Sequence, residues 1–459
     1  MLGVMKKANE METMDIKKLA IKISTPMIIS MISIALYGIV DTMFISGISG
    51  AALTTISLAM PIVAIITAIG LGTGVGVNAI LAKTLGEKKE EKVKRIILTG
   101  IILTLISWII VAVVSVFGAK AFFRVFTQNA EIQKLGYEYL TIIAVFSIGT
   151  LFQILFEKVL EAYGKSKSSM LVQFSGAVIN LILDPIFIFG FWRIPALGIK
   201  GAAIATVTGQ IVGMLIGIYF IIKNKLLTKK DFIEFKFEKS IVKDIYKVGF
   251  PTMILEAVTS FITLILNKIL IMFSEAAVSV WGIYCQLQKF VIIIVYGLNN
   301  GMIPIIAYNW GAKKKARVKE AIKFFLKLAI GVTAIGALLF LLFPGQLASI
   351  YEITDEILNI SIPAFRILAL GFVFAGISLV LSASFQAFGN GTYSLIINLS
   401  RQIIFALPLI FVLKDIMGIY SVWTAFAISE LITMLIALIL YKKVNKNIIE
   451  KISEENVQC

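Results

Sequence analysis

The 459-residue chain contains no histidine. That absence removes the usual neutral-pH proton carrier and the commonest zinc ligand together, so protonation chemistry must rest on carboxylates. Cysteine is nearly as scarce. Cys285 lies inside an apolar run and Cys459 ends the chain, which leaves no disulfide framework and no metal spacing. Charged residues make up 15% against 59% hydrophobic ones, a balance that excludes a soluble fold. No Gly-x-x-x-x-Gly-Lys-Ser/Thr loop of the Walker type occurs, so neither ATP nor any other cofactor is expected.

Long apolar runs are what the chain has instead. Twelve can be counted, near 22–47, 55–82, 95–118, 137–160, 168–190, 197–223, 247–272, 282–309, 321–343, 361–386, 394–413 and 418–442. Roughly 20 apolar residues span a bilayer as a helix, whereas barrel strands would be short and alternating. The net charge of +16 follows these runs and does not form a nucleic-acid footprint. Of 43 Lys and Arg, 33 fall in the two tails or after runs 2, 4, 6 and 8, and only Lys120, Arg124, Lys134, Arg193, Lys200 and Lys414 occupy the alternate loops. That asymmetry predicts a multi-pass plasma-membrane protein with both termini cytoplasmic. The apolar run after Lys22 is too long for a signal-peptide core, so cleavage is not expected.

The chain also repeats itself. Laid against itself so that Pro26 falls on Pro251, it places Gly72 on Gly297, Gly76 on Gly301, Gly86 on Gly311 and Gly164 on Gly389 in one constant register. An even number of spans per repeat makes the repeats parallel, related by an axis along the membrane normal, as in many secondary transporters. The expected fold is therefore an all-α polytopic membrane protein, with twelve transmembrane helices in two parallel six-helix lobes around a central cavity. Residues 1–222 form the first lobe, 223–246 a lysine-rich cytoplasmic linker and 247–459 the second lobe with its tail. The glycine run Gly70 to Gly76 lies within the membrane and reads as helix packing, not as a phosphate cradle. Prolines inside the runs, Pro26 among them, would bend their helices.

Charges inside the runs mark functional candidates, because each is expensive in hydrocarbon. Asp41 follows Lys22, where run 1 leaves the cytoplasm, and Asp184 follows Lys167, where run 5 does, each by about five helical turns. At 1.5 Å of rise per residue both lie roughly 25–30 Å from the cytoplasmic face, hence at one depth. Asn180 and Tyr37 sit one turn before them on the same faces, and Thr206 of run 6 returns to a similar level. Two carboxylates, an amide and hydroxyls at one depth suit a desolvated proton or a Na⁺ ion. The repeat aligns Asp41 with Leu266 and Asp184 with Leu409, so packing alone does not need the acids. Glu256, in the cytoplasmic half of run 7, reads either as a protonatable or cation-binding site or as the partner of a base such as Lys289. Arg366 and Arg401 snorkel or pair internally.

These residues resemble a known family. Pro26 to Gly47, with its end Val40-Asp41-Thr42-Met43-Phe44, resembles the first helix of the multidrug and toxic compound extrusion (MATE) transporters. Asn180 to Gly190 and the repeated segments at Gly86 and Gly311 do so as well. The resemblance spans the whole chain. It implies export of bulky, often cationic and amphipathic drug-like molecules by antiport with H⁺ or Na⁺, without ATP. Asp41, Asn180, Asp184 and Thr206 match the first-lobe polar residues of the DinF-like branch, and Glu256 the helix 7 acid of the NorM-like branch. The acid of helix 10 in that branch is missing, since 371–381 contains none. A monomer is expected, with the bilayer and small molecules as partners. The competing readings are a lipid-linked oligosaccharide flippase, which would want a cationic cavity, and a membrane-embedded transferase, which would want a catalytic cluster.

Overall fold

Apolar runs that leave no water for the backbone must satisfy their own hydrogen bonds, and helices do so within one segment. The computed structural model describes residues 10–351 and 353–452, apart from the side chains of 46, 259–261, 263 and 264. Cys459 lies outside the described residues. The first lobe consists of α1 (Ile16–Ser46), α2 (Gly50–Gly86), α3 (Glu90–Phe126), α4 (Ala130–Val145 continued by Ile148–Ala162), α5 (Ser166–Phe189) and α6 (Ile199–Lys223). The second consists of α7 (Lys239–Ile271), α8 (Glu275–Gly311), α9 (Lys315–Leu342), α10 (Asp355–Ala369 continued by Phe372–Ala387), α11 (Gly391–Met417) and α12 (Tyr420–Val444). Among the described residues nine single helices and two bent pairs are long and apolar enough to span a bilayer, and α7, with 33 residues, completes twelve. Large apolar side chains such as Phe117 and Ile416, each 80% exposed, form the outer surface that lipid would cover.

The repeat is visible in the details. α4 bends by 41° at 146–147 and α10 by 48° at 370–371, at near-equivalent positions of the two repeats. Six of the twelve helices extend past their apolar runs at both ends. α7 begins at Lys239, two turns before its run, so it takes up part of the linker. The rest of the linker holds a short helix, Lys229–Ile233, closed by a capping box between Thr228 and Asp231. Partial burial pushes the Asp231 carboxyl up, but the Thr228 N–H and hydroxyl and the Lys94 ammonium together hold it below its ordinary range.

The alternation of twelve spans leaves both termini at one end of the bundle, the end that carries the basic loops. There the lobes meet through glycines. A Cβ on Gly86 would lie 2.0 Å from the Tyr308 carbonyl oxygen, and one on Gly311 would lie 2.0 Å from that of Lys83. Higher up, α2 meets α7 at Gly72 and α8 meets α1 at Gly297, again with no room for a side chain. The repeated glycines therefore mark backbone-to-backbone contact between lobes, the close approach that small residues permit. Residues 10–14 cross the same end: Arg317 donates to the carbonyls of Met11 (2.9 Å) and Met14 (2.8 Å), and Glu12 lies between Lys88 (3.6 Å) and Lys314 (3.7 Å).

Candidate functional site

Between the lobes lies a cavity of about 630 Å³, reaching from Ile45 and Leu53 near the far end to Glu161 near the basic end. Its wall in the first lobe is set by tight packing of α5 on α6. A Cβ at Gly209 would be 2.5 Å from the Gly176 carbonyl, and one at Gly201 would be 2.2 Å from that of Phe187. This approach carries Thr206 to Asn180, whose amide donates to Thr206 Oγ1 and to Asp184 Oδ1, both at 3.3 Å. α1 packs on α5, so Asp41 faces Asp184 with the two carboxyl groups in hydrogen-bonding reach. Tyr37 lies in electrostatic reach of both acids and beside Thr206. The five residues selected from the sequence, Tyr37, Asp41, Asn180, Asp184 and Thr206, thus converge on one spot.

Asp184 is fully buried and does not line the cavity; Asp41 stands between it and the open space. Asp41 Oδ1, Asp184 Oδ2 and Asn180 Oδ1 are buried with no hydrogen-bond partner among the described residues. Three orphaned oxygens, two from carboxylates, call for a donor or a cation. One proton shared by the acids, or one Na⁺ taking these oxygens, fits that donor set. Tyr139 of α4, in electrostatic reach of both acids, was not signalled by the sequence. It precedes the α4 bend, which turns the rest of the helix along the cavity wall.

The other candidates stand apart. Glu256 on α7 lines the cavity, exposed to it, and among the described residues no ion pair joins it to Lys289. Pro26 lies inside α1, three turns before Tyr37. Arg401 does not snorkel. A π-helical turn, Ser400–Ile404, swings it onto Glu430 of α12, to which it donates at 2.6–2.9 Å in a bidentate pair. That pair lines a separate second-lobe cavity of about 190 Å³ together with Leu266, the repeat partner of Asp41. Arg366 is exposed and donates to the Leu341 carbonyl at 3.4 Å.

Sequence reasoning also missed a charged group on the second half of α4. Glu157, Lys158 and Glu161 are 8%, 5% and 4% exposed and all line the large cavity. They lie at the end of run 4, where charge reads as an ordinary membrane interface; the signal was their spacing on one helical face.

The MatE family model matches the chain twice, over residues 26–186 and 251–412, and the two matches start at the repeated prolines Pro26 and Pro251. Among curated proteins the chain is similar to the multidrug export protein MepA of Staphylococcus haemolyticus, 28% identical over 448 residues, covering 96% of this chain and 97% of the relative. A similar relative is an FAD transporter of Shewanella oneidensis, 27% identical over 423 residues, with 91% and 92% covered. Among solved structures it superposes on the outward-facing conformation of a multidrug resistance MATE family transporter of the MOP superfamily, with a TM-score of 0.89, 24% identity and 96% and 98% of the chains covered. A P26A mutant of a MATE protein gives a TM-score of 0.90 at 23% identity, with 96% and 98% covered.

Proposed function

The chain belongs to the MatE family, and from that membership and the first-lobe geometry we propose a secondary active multidrug exporter that exchanges cationic amphipathic compounds for H⁺ or Na⁺. The observation that carries the reading is the facing pair Asp41 and Asp184 with their orphaned oxygens. A proton or Na⁺ bound there removes net charge from a buried site and lets α1 and α5 pack differently, Pro26 providing the flexible point of α1. Exchange requires that the ion and the cargo favour different arrangements of the lobes. The lobes divide at 223–246, the molecule acts as a monomer, and the basic end faces the cytoplasm.

The charge of the cavity bears on the cargo. Asp41, Glu157, Glu161 and Glu256 line it against a single base, Lys158. This favours a cationic cargo over an anion such as FAD. It also disfavours a lipid-linked oligosaccharide, because Arg401 is neutralised by Glu430 outside the main cavity.

Reconstituted vesicles given a pH gradient or a Na⁺ gradient separately test the reading: export of a cationic dye should follow one of the two, and export under neither would overturn it. In the same assay Glu256→Gln should keep more than about a tenth of wild-type export, its effect falling on cargo affinity (a loss of one tenfold being about 1.4 kcal/mol). Abolished export by that variant beside normal export by Asp41→Asn would reverse the roles of the lobes. The orientation has its own measurement. Single cysteines at Gly50 and Glu275 should react with an impermeant maleimide added outside intact cells, whereas those at Lys89 and Lys314 should not; the opposite pattern would invert the topology.

A further inference from the structure

The second half of α4 buries two carboxyl groups, Glu157 and Glu161, beside one ammonium, Lys158. Glu157 accepts from Gln153 Nε2 at 2.9 Å, and with its amide turned Gln173 of α5 donates to both Glu157 oxygens at 2.9 and 3.1 Å. Both donors are neutral. Glu161 receives Ser169 Oγ at 3.3 Å and the Lys158 ammonium at 2.8 Å. Lys158 pairs with Glu161, so Glu157 meets only neutral donors, an unfavourable setting for a buried carboxylate. Asn299 of α8 faces the same cavity, 6% exposed, with its Oδ1 unpartnered among the described residues. The carboxylate oxygens and the free amide oxygen all accept hydrogen bonds. The missing group is a cation that donates them.

The position of Lys158 says when that cation would enter. Its Nζ also donates to Asn300 Oδ1 of α8 at 3.2 Å, so the ammonium spans the two lobes. The contact lies toward the basic end, where the lobes are closed against each other. Separating the lobes there breaks it and leaves Lys158 with Glu161 alone. The site then faces the basic side, where a cargo arriving for export would first meet the cavity.

We propose that Glu157, Glu161 and Asn299 form a binding site for an amidinium, guanidinium or protonated amine group of the cargo, in which Lys158 is a tethered counter-ion that the cargo displaces. The proposal deepens the export reading by naming the cargo chemistry and the place where it is received. It is separate from the Asp41–Asp184 pair, which lies on α1 and α5 beyond the α4 bend. When cargo leaves, Lys158 returns to bridge Glu161 and Asn300, so that Glu161 is not left as an unpaired buried carboxylate.

The test is equilibrium binding to the purified full-length protein in detergent at pH 7.5 with no gradient. The probes are 4′,6-diamidino-2-phenylindole, whose two amidinium groups donate hydrogen bonds, and tetraphenylphosphonium, a cation with no donor. Glu157→Gln should weaken diamidine binding by about tenfold and tetraphenylphosphonium binding by less than about threefold. Lys158→Gln should tighten diamidine binding by about threefold or more, and Lys158→Arg should leave it near the wild-type value. A gain in affinity cannot come from misfolding, so Lys158→Gln decides even if Glu157→Gln folds poorly. Unchanged or weaker diamidine binding by Lys158→Gln, or no diamidine binding by the wild-type protein, would overturn the proposal. Because no gradient is applied, opposite shifts in the two variants would support it even if export proved not to be coupled at Asp41 and Asp184.

Discussion

Asp41→Asn and Asp184→Asn should each abolish gradient-driven export, and the double variant should be no worse than either alone. Two facing carboxyl groups that share one occupant titrate as a unit, with apparent constants that belong to neither residue alone. Replacing one acid by an amide supplies N–H donors where a proton or Na⁺ had to bind, so its neighbour is satisfied permanently. The site then stops responding to the gradient, and α1 and α5 lose the reason to repack. Removal of the second acid takes away nothing that still works. The readout is cation-driven efflux from reconstituted vesicles for the three variants, with protein amounts matched. Near-normal export by either single variant, or a double variant several times weaker than both, would refute a shared site.

Gly86→Val should nearly eliminate export by propping the basic end open. A Cβ there meets the Tyr308 carbonyl at 2.0 Å, whereas ordinary contact starts at 3.4 Å. The lobes must part to make room, and the backbone on both sides cannot rotate away as a side chain could. Overpacking of this kind costs about 1–3 kcal/mol, enough to move a two-state equilibrium roughly 5- to 150-fold. Gly311→Val should do the same, because it presses on the Lys83 carbonyl. The control is Gly331→Val, where nothing lies within 4 Å of the added atom. A single cysteine at Ser382, which lines the cavity, reports the state. It should react faster with an impermeant maleimide from the basic side in Gly86→Val than in the parent or the control. Unchanged labelling together with normal export would show that these glycines do not govern closure.

The sequence made the lobes and the first-lobe site legible for different reasons. One constant register, Pro26 on Pro251 and Gly86 on Gly311, exposed the duplication, and the helical rise placed Asp41 and Asp184 at one depth before any contact was known. Asn180 and Tyr37 followed from one turn of helix. Thr206 needed only the direction of run 6. Tyr139 was invisible because its nearness to the acids depends on how α4 packs on α6 and on the bend at 146–147, neither of which leaves a periodic trace. Glu157, Lys158 and Glu161 were masked by context: they sit at the end of an apolar run and precede Lys165 and Lys167, as interfacial charges do. The Arg401–Glu430 pair joins residues 29 apart on two helices through a π-helical turn, and sequence spacing carries no sign of that extra residue per turn.

That pair also limits how its part of the second lobe feels membrane voltage. Moving one elementary charge across 100 mV changes its energy by about 2.3 kcal/mol, and a group that is neutral overall gains or loses almost nothing. Arg401 and Glu430, held at 2.6–2.9 Å by two-pronged contact, travel as one neutral unit when their helices tilt. The facing aspartates of the first lobe, in the exchange proposed above, would change their net charge with each occupant. On the proposed coupling the charge that changes at the first-lobe aspartates has no counterpart at the Arg401–Glu430 pair, so the two repeats, alike in fold, differ in how their buried charges meet the membrane field.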